Sequence, residues 1–230
     1  MTLLSYSVLL AQTQMSSTSQ STSSSPAASS SRFAPADYVS NVMHPDPWDR
    51  GVFVDGGFGT NDQTDIHFLN AGVGVGKVLT GAVGPGYARG QFEYAVEVMP
   101  YWQALTPVTG VAVTEGNPPQ TSAHRTGGTY TGVSIVPIIL RWNFVHWHRV
   151  MPWMQGAGGL IWTDHKFPKP NTSVWNFSPQ FGVGIHYFVK PKQSINFAAN
   201  AEHISSASLG DQNPGVNASV QFQIGYTWWQ

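Results

Sequence analysis

From Gly51 to the C-terminus, apolar and polar residues alternate with a period of two in eight long segments. Because successive side chains of a β-strand point to opposite faces of a sheet, this period predicts strands. Several segments have 13 to 17 residues, whereas strands of globular proteins usually have about five or six. Long strands are typical of small membrane barrels. The segments are residues 51–58, 65–80, 87–103, 129–144, 148–163, 174–189, 194–206 and 216–229.

The composition of the two strand faces indicates which one faces outward. One face is rich in aromatic and branched aliphatic residues, and the other holds mostly amides, serines and glycines. Only 10% of the residues are charged, against about 25% in soluble domains. A filled lumen needs only a few ionisable groups, provided that they pair. We therefore predict that the apolar face contacts lipid, and that His186 pairs with Glu93 or Glu97 inside. The ionisable residues on the polar face are Glu93, Glu97, Arg141, His186 and Glu202.

These observations predict an all-β fold, an eight-stranded antiparallel transmembrane β-barrel of the outer-membrane type. The chain has no run of 18 apolar residues that would form a membrane helix, and a closed barrel is the other structure that can span a bilayer. Eight strands leave an interior filled by side chains, so a pore is not expected. A soluble lipid-binding barrel is the less favoured alternative. The net charge of −1 and the absence of cysteine give no reason to expect nucleic acid or disulfides.

The N-terminal region and the connections suggest the domain organisation. Residues 1–12 resemble the remnant of an export signal, residues 13–45 are predicted to be a disordered Ser-rich linker, and residues 46–230 form the barrel. The predicted connections after strands three and five are about 25 and 10 residues long, whereas those after strands four and six are short. Because outer-membrane barrels have short periplasmic turns, we expect both termini to be periplasmic and the connection after strand seven to be external.

His203 and Ser205 form a candidate catalytic pair near the end of strand seven. Residues two apart in a strand share a face and lie roughly 6.6 Å apart along the chain. Their face also carries Phe197 and Ala201, so both should lie on the lipid-facing side at the external end. An imidazole and a hydroxyl are the groups of a base and a serine nucleophile, and polar groups facing lipid usually have a function. The His-x-Ser pattern by itself arises readily by chance.

Around this pair the sequence reads His203-x-Ser205-x-Ala207-Ser208, followed by Asn213 and Gly215 before the last strand. The arrangement resembles the lipid A deacylases of the PagL type. The resemblance implies an outer-membrane serine esterase that removes the ester-linked acyl chain at the 3 position of lipid A. It further implies that Ser205 is the nucleophile, that His203 is the general base, and that Asn213 belongs to the oxyanion hole.

The chain departs from the family pattern at two positions. Asn217 stands where the family has a glutamate, and Ser206 replaces the asparagine that follows the serine. The resemblance implies Asn217 as the third catalytic residue, with Asp211 as the substitute acid, because an asparagine can also orient a catalytic histidine. Glu202 is a poor candidate because it lies on the other face. The implied substrate is lipopolysaccharide in the bacterial outer membrane, with no cofactor or metal and with a homodimer left open. A non-enzymatic barrel that retains the motif is the alternative.

Overall fold

Eight antiparallel strands close into a barrel within the part of the chain that the computed structural model describes, which is residues 36–61, 64–115, 120–168, 172–207, 209 and 216–230. Each strand pairs with its neighbours in sequence, and β1 pairs with β8 to close the sheet. The predicted all-β barrel is therefore confirmed. The strands are β1 (Trp48–Gly59), β2 (His67–Val78), β3 (Gly90–Glu115), β4 (Gln120–Phe144), β5 (Val150–Phe167), β6 (Ser173–Lys190), β7 (Gln193–Ile204) and β8 (Val216–Trp229).

The barrel carries its large apolar side chains on the outside. Phe181, Phe222 and Ile224 are 52%, 57% and 49% exposed, whereas Gln221 and Gln223, which alternate with the latter two, are 6% and 7% exposed. Such a continuous apolar exterior is suited to hydrocarbon rather than to water. The predicted orientation of the two faces is confirmed. Among the described residues, no helix has the length and apolar character needed to cross a membrane.

The long loop predicted after strand three is wrong, because β3 and β4 continue as a paired ribbon. Their pairing extends as far as Glu115 opposite Gln120, so residues 104–115 and 120–128 are strand. Pro107 lies in the predicted loop, but together with Gly127 and Gly128 it accompanies a register shift within the ribbon. Gly127 has a φ of 99°, and a Cβ there would lie 1.9 Å from the carbonyl oxygen of Pro107. These residues therefore mark an irregularity that the ladder accommodates, rather than its end.

We call the end of the barrel that carries Trp48 and Trp229 the near end, and the end that carries the β7–β8 connection the far end. A short 3-10 helix, Val39–Val42, covers the near end. Val39 and Val42 are fully buried in one apolar cluster with Val78, Val145, Met151, Phe188 and Trp229. The backbone nitrogen of Val39 also donates to the carbonyl of His148 at 3.0 Å. This helix lies within residues 13–45, the segment that the sequence predicts to be a linker.

The far half of the lumen is filled by a second apolar cluster. The rings of Trp102 and Phe167 meet edge to face, with centroids 5.5 Å apart. Ile204, the last residue of β7, is fully buried in the same cluster. Polar layers therefore lie between two apolar plugs, which agrees with an interior that is filled rather than open.

Arg141 organises the main polar layer of the lumen. Its Nη1 lies 2.8 Å from Glu93 Oε1, and its Nη2 lies 3.7 Å from Glu97 Oε1. Its Nε donates to Gln155 Oε1 at 2.9 Å, and Asn143 Nδ2 donates to the other oxygen of Glu93 at 2.6 Å. The few ionisable groups of the lumen thus include a paired cluster, as the low charge of the sequence predicts. A buried carboxylate requires this kind of compensation.

The predicted pairing of His186 with Glu93 or Glu97 is wrong. Its Nδ1 lies 3.1 Å from the hydroxyl of Ser194 on the adjacent strand. Its ring contacts Trp229 edge-on, with centroids 5.2 Å apart. Because Arg141 contacts both glutamates, the histidine does not supply their counter-charge.

We predict that Arg141→Met lowers the free energy of unfolding by about 3–5 kcal/mol, because it leaves buried carboxylates without a cation. The measurement is urea-induced unfolding in phospholipid vesicles, followed by tryptophan fluorescence. Arg50→Met is the matched control, since Arg50 is exposed on β1 and its loss should cost less than about 1 kcal/mol. Equal, small losses for both variants would contradict the role assigned to Arg141.

Candidate active site

His203 and Ser205 lie on the outer face at the far end of β7. Both side chains are partly exposed, whereas the alternating residues Glu202, Ile204 and Ser206 are buried inside the barrel. The alternation of inward and outward side chains that the sequence shows is thus preserved to the end of the strand. An imidazole and a hydroxyl therefore share one face at the border of the apolar exterior.

Ser205 follows the last residue of β7 but is held by β6. Its N–H donates to the carbonyl of Phe177 at 3.0 Å, and the N–H of Phe177 donates to the carbonyl of Ser205 at 2.7 Å. This pair of bonds forms a bridge that continues the register of the β6–β7 ladder. The backbone beneath the hydroxyl is therefore fixed, although the connection to β8 begins there.

The ladder is incomplete beside His203 on the β6 side. Gln180 pairs with Glu202 and Phe177 pairs with Ser205, so the same register puts Pro179 opposite His203. In an antiparallel ladder, every second pair of opposite residues exchanges two backbone hydrogen bonds. Phe177 and Ser205 form such a pair, so Pro179 and His203 occupy the next position of this kind. Proline has no N–H and cannot supply its half of that pattern. One bond of the β6–β7 ladder is therefore absent at the histidine.

The β8 side has a bulge at the same level. Glu202 pairs with Ser219 and Ile204 pairs with Val216, which leaves two β8 residues, Asn217 and Ala218, opposite His203 alone. A bulge of this kind bends the strand and changes the direction of its side chains, and bulges are common next to active sites. His203 thus stands where the regular ladder is interrupted on both sides.

The structure brings some of the predicted site residues together and does not describe others. His203 and Ser205 share a face, and Asn217 lies in β8 at the register position opposite His203. Asp211 and Asn213 lie outside the described residues. Within the described part of the chain, no group of three or more His, Cys, Asp or Glu residues is arranged to hold a metal ion.

Sequence reasoning missed two features of the site, which are Pro179 and the bulge. A proline inside an otherwise regular strand is a recognised sign of a local break in a ladder, so Pro179 could have been noticed. The bulge leaves a weaker signal. In the sequence, the bulge would show only as a one-residue shift in the apolar–polar alternation between Val216 and Ser219. This segment is too short for such a shift to be recognised.

The surface below the pair is apolar and uneven. Along β7 it carries Ala199 and Ala201, while the flanking strands carry Phe181 and Phe222 at the positions paired with these alanines. Small and large apolar residues thus lie side by side on the outer surface next to His203 and Ser205. A polar pair at the end of an apolar surface can act on a molecule that has a polar head and a hydrocarbon tail.

Comparison with known proteins gives one family match. The family described as "Lipid A 3-O-deacylase (PagL)" matches residues 86–227, a range that includes His203, Ser205 and Asn217. No individual curated protein matches the chain.

Several solved structures are similar to this chain. The outer membrane enzyme PagL has 15% identity and a TM-score of 0.43, with 77% of this chain and 98% of that chain covered. Neisserial surface protein A has 12% identity and a TM-score of 0.46, with 79% and 96% covered. The outer membrane protein OprG from Pseudomonas aeruginosa has 11% identity and a TM-score of 0.38, with 82% and 97% covered.

Proposed function

Since this chain belongs to the lipid A 3-O-deacylase (PagL) family, we propose that Ser205 is its nucleophile and His203 its general base. The protein is an outer-membrane β-barrel and an ester hydrolase of that family. The observation that carries the proposal is the common outer face of the two residues at the far end of β7. Lipid A is the substrate that the family implies.

The reaction proceeds in two steps. Ser205 Oγ attacks the carbonyl carbon of the ester at the 3 position, while His203 accepts the hydroxyl proton. The tetrahedral intermediate collapses, and the sugar hydroxyl leaves with the proton that His203 returns to it. Water, activated by the same imidazole, then cleaves the acyl-serine and releases the fatty acid. Neither step uses a metal or an organic cofactor.

The position of the pair suits a substrate embedded in the outer leaflet. We take the far end as external, because outer-membrane barrels have their longer extensions on the outside and the β3–β4 ribbon continues beyond the neighbouring strand β2 at the far end. The apolar surface below the pair then faces the acyl chains of a glycolipid. An ester bond lies at the boundary between these chains and the sugar. His203 and Ser205 lie two residues apart in the same chain, so the proposed chemistry needs no homodimer.

Asn217 is the residue that we propose for orienting His203. It occupies the family's glutamate position, and its register opposite His203 supports the assignment. Its amide oxygen would accept a hydrogen bond from the ring but would stabilise an imidazolium less than a carboxylate would. Asn213 as oxyanion donor and Asp211 as substitute acid complete the proposal.

The absence of a carboxylate at position 217 is also the observation that favours a second candidate function. A barrel that has lost the family's acid could keep the motif without the activity. The two readings differ in the effect of removing the hydroxyl or the imidazole, because only an enzyme loses an activity with them.

We predict that Ser205→Ala and His203→Ala each lower the rate of deacylation by at least about 10³-fold, because a nucleophile and its general base act as one unit. The measurement is mass spectrometry of lipid A from cells that express each variant at matched levels of folded barrel. His146→Ala and Ser40→Ala at the near end are matched controls and should keep the activity. A lipid A profile that is identical for the unsubstituted protein and Ser205→Ala would support the non-enzymatic reading.

We also predict that Asn217→Glu raises kcat at least about tenfold, because a carboxylate stabilises the imidazolium that forms in the transition state; replacing such an acid by its amide costs about 10⁴-fold in a serine protease. Asn217→Gln is the control, since it has the same length without the charge. The measurement is the initial rate on purified lipid A in detergent micelles. Equal rates for Glu and Gln at this position would show that residue 217 does not act beside His203.

A further inference from the structure

Glu202 is buried inside the barrel, directly before His203 in sequence. Its side chain points away from the catalytic face, so it cannot contact the ring as a third catalytic residue. We propose that Glu202 is a positioning residue, which holds β6, β7 and β8 together from the lumen at the level of His203. This inference rests on the proposed function, since it concerns the same pair.

The carboxylate of Glu202 bridges the two strands that flank β7. Gln180 Nε2 on β6 donates to its Oε1 at 3.0 Å. Gln221 Nε2 on β8 donates to its Oε2 in a short hydrogen bond. The backbone carbonyl of Glu202 accepts a further bond from Ser219 Oγ at 3.3 Å. One residue of β7 is therefore tied to both neighbouring strands by side-chain bonds.

These bonds lie where the backbone ladder is irregular on both sides of β7. Pro179 interrupts the ladder on one side of His203, and the bulge at Asn217 interrupts it on the other. Side-chain bonds from the preceding residue hold the three strands together at this irregular position. Bonds to a charged acceptor are also stronger than those between neutral groups. Glu202 thus fixes the segment in which the proposed base and nucleophile lie.

The side-chain bonds of Glu202 continue into a network that extends around the barrel. Gln221 Oε1 accepts a hydrogen bond from Asn70 Nδ2 at 3.1 Å, and the same nitrogen donates to Asp55 Oδ1 at 2.6 Å. Asn70 Oδ1 accepts from the backbone nitrogen of Gln103 at 3.3 Å. The network therefore extends from β6 through β8 and β1 to β2 and β3. A change at Glu202 reaches the site through a shared, buried network rather than through direct contact.

The donor and acceptor pattern of this network allows a sharp test. In Glu202→Gln, one carboxylate oxygen becomes an amide nitrogen, which then opposes the amide nitrogen of either Gln180 or Gln221. Adding Gln221→Glu restores the pattern, because Gln at 202 accepts from Gln180 and donates to Glu at 221. That carboxylate still accepts from Asn70. The double variant has the same composition and net charge as the original chain.

We expect Glu202→Gln to lower kcat on purified lipid A about 10- to 100-fold with KM unchanged, and the double variant to return kcat to within about threefold. Glu93→Gln is the control for stability alone, because it disrupts the Arg141 cluster and leaves the side-chain bonds of Glu202 in place. It should keep kcat even if its barrel unfolds at lower urea. Hydrogen exchange of the Ser205 amide, which is bonded to Phe177, should accelerate in Glu202→Gln and recover in the double variant.

Three results would overturn the inference. They are an unchanged kcat in Glu202→Gln, a kcat in the double variant as low as in the single one, and equal loss in Glu93→Gln at matched stability. Amide exchange separates this inference from the proposed function. If the unsubstituted protein does not cleave lipid A, the proposed function fails, and the exchange of Ser205 alone decides whether Glu202 holds the strand. An unaltered exchange rate in Glu202→Gln would then reject the inference.

Discussion

A strand that faces hydrocarbon must make its backbone hydrogen bonds within the sheet, since lipid offers no donors or acceptors. Closure of β1 onto β8 meets this requirement for the barrel as a whole. The same requirement makes a gap in the ladder costly, so a gap that persists needs compensation. Around His203 the ladder is interrupted by Pro179 and by the bulge at Asn217. We propose that this loss of regular pairing is what allows the side chains near His203 to be directed toward a substrate.

The compensation comes from the opposite face of the same strand. The period of two puts Glu202 in the lumen whenever His203 is on the outside. A small barrel has a narrow interior, so its side chain reaches both flanking strands there. The outer surface supplies an apolar setting for an acyl ester, and the inner surface supplies the polar bonds that hold the site. The two functions are separated by the thickness of one strand.

Much of this arrangement could be predicted from sequence because it depends on periodicity. The alternation of Phe222 and Ile224 with Gln221 and Gln223 gives the strand and its faces, and low charge gives the orientation. The same alternation along β7 predicts that His203 and Ser205 lie on the outer face. The loop after β3 was predicted wrongly because local signals such as Pro107 indicate turns, whereas the pairing of two long strands overrides them.

Other features depend on contacts that no short stretch of sequence contains. The helix Val39–Val42 forms because it covers the near end of the lumen, and a Ser-rich neighbourhood gives no indication of that. The partner of His186 is set by which strands lie side by side. The bulge opposite His203 is a difference of one residue between two strands. It becomes visible only when the registers on both sides are known.

The central claim is that the barrel presents its apolar face, and with it the proposed catalytic pair, to lipid. The chain has no cysteine, so single-cysteine variants along β8 can each carry one spin label in phospholipid vesicles. The measurement is the collision rate of each label with oxygen dissolved in the bilayer. We expect high rates for Val220→Cys, Phe222→Cys and Ile224→Cys and low rates for Ser219→Cys and Gln221→Cys. The opposite alternation would place His203 and Ser205 inside the barrel and would contradict the account.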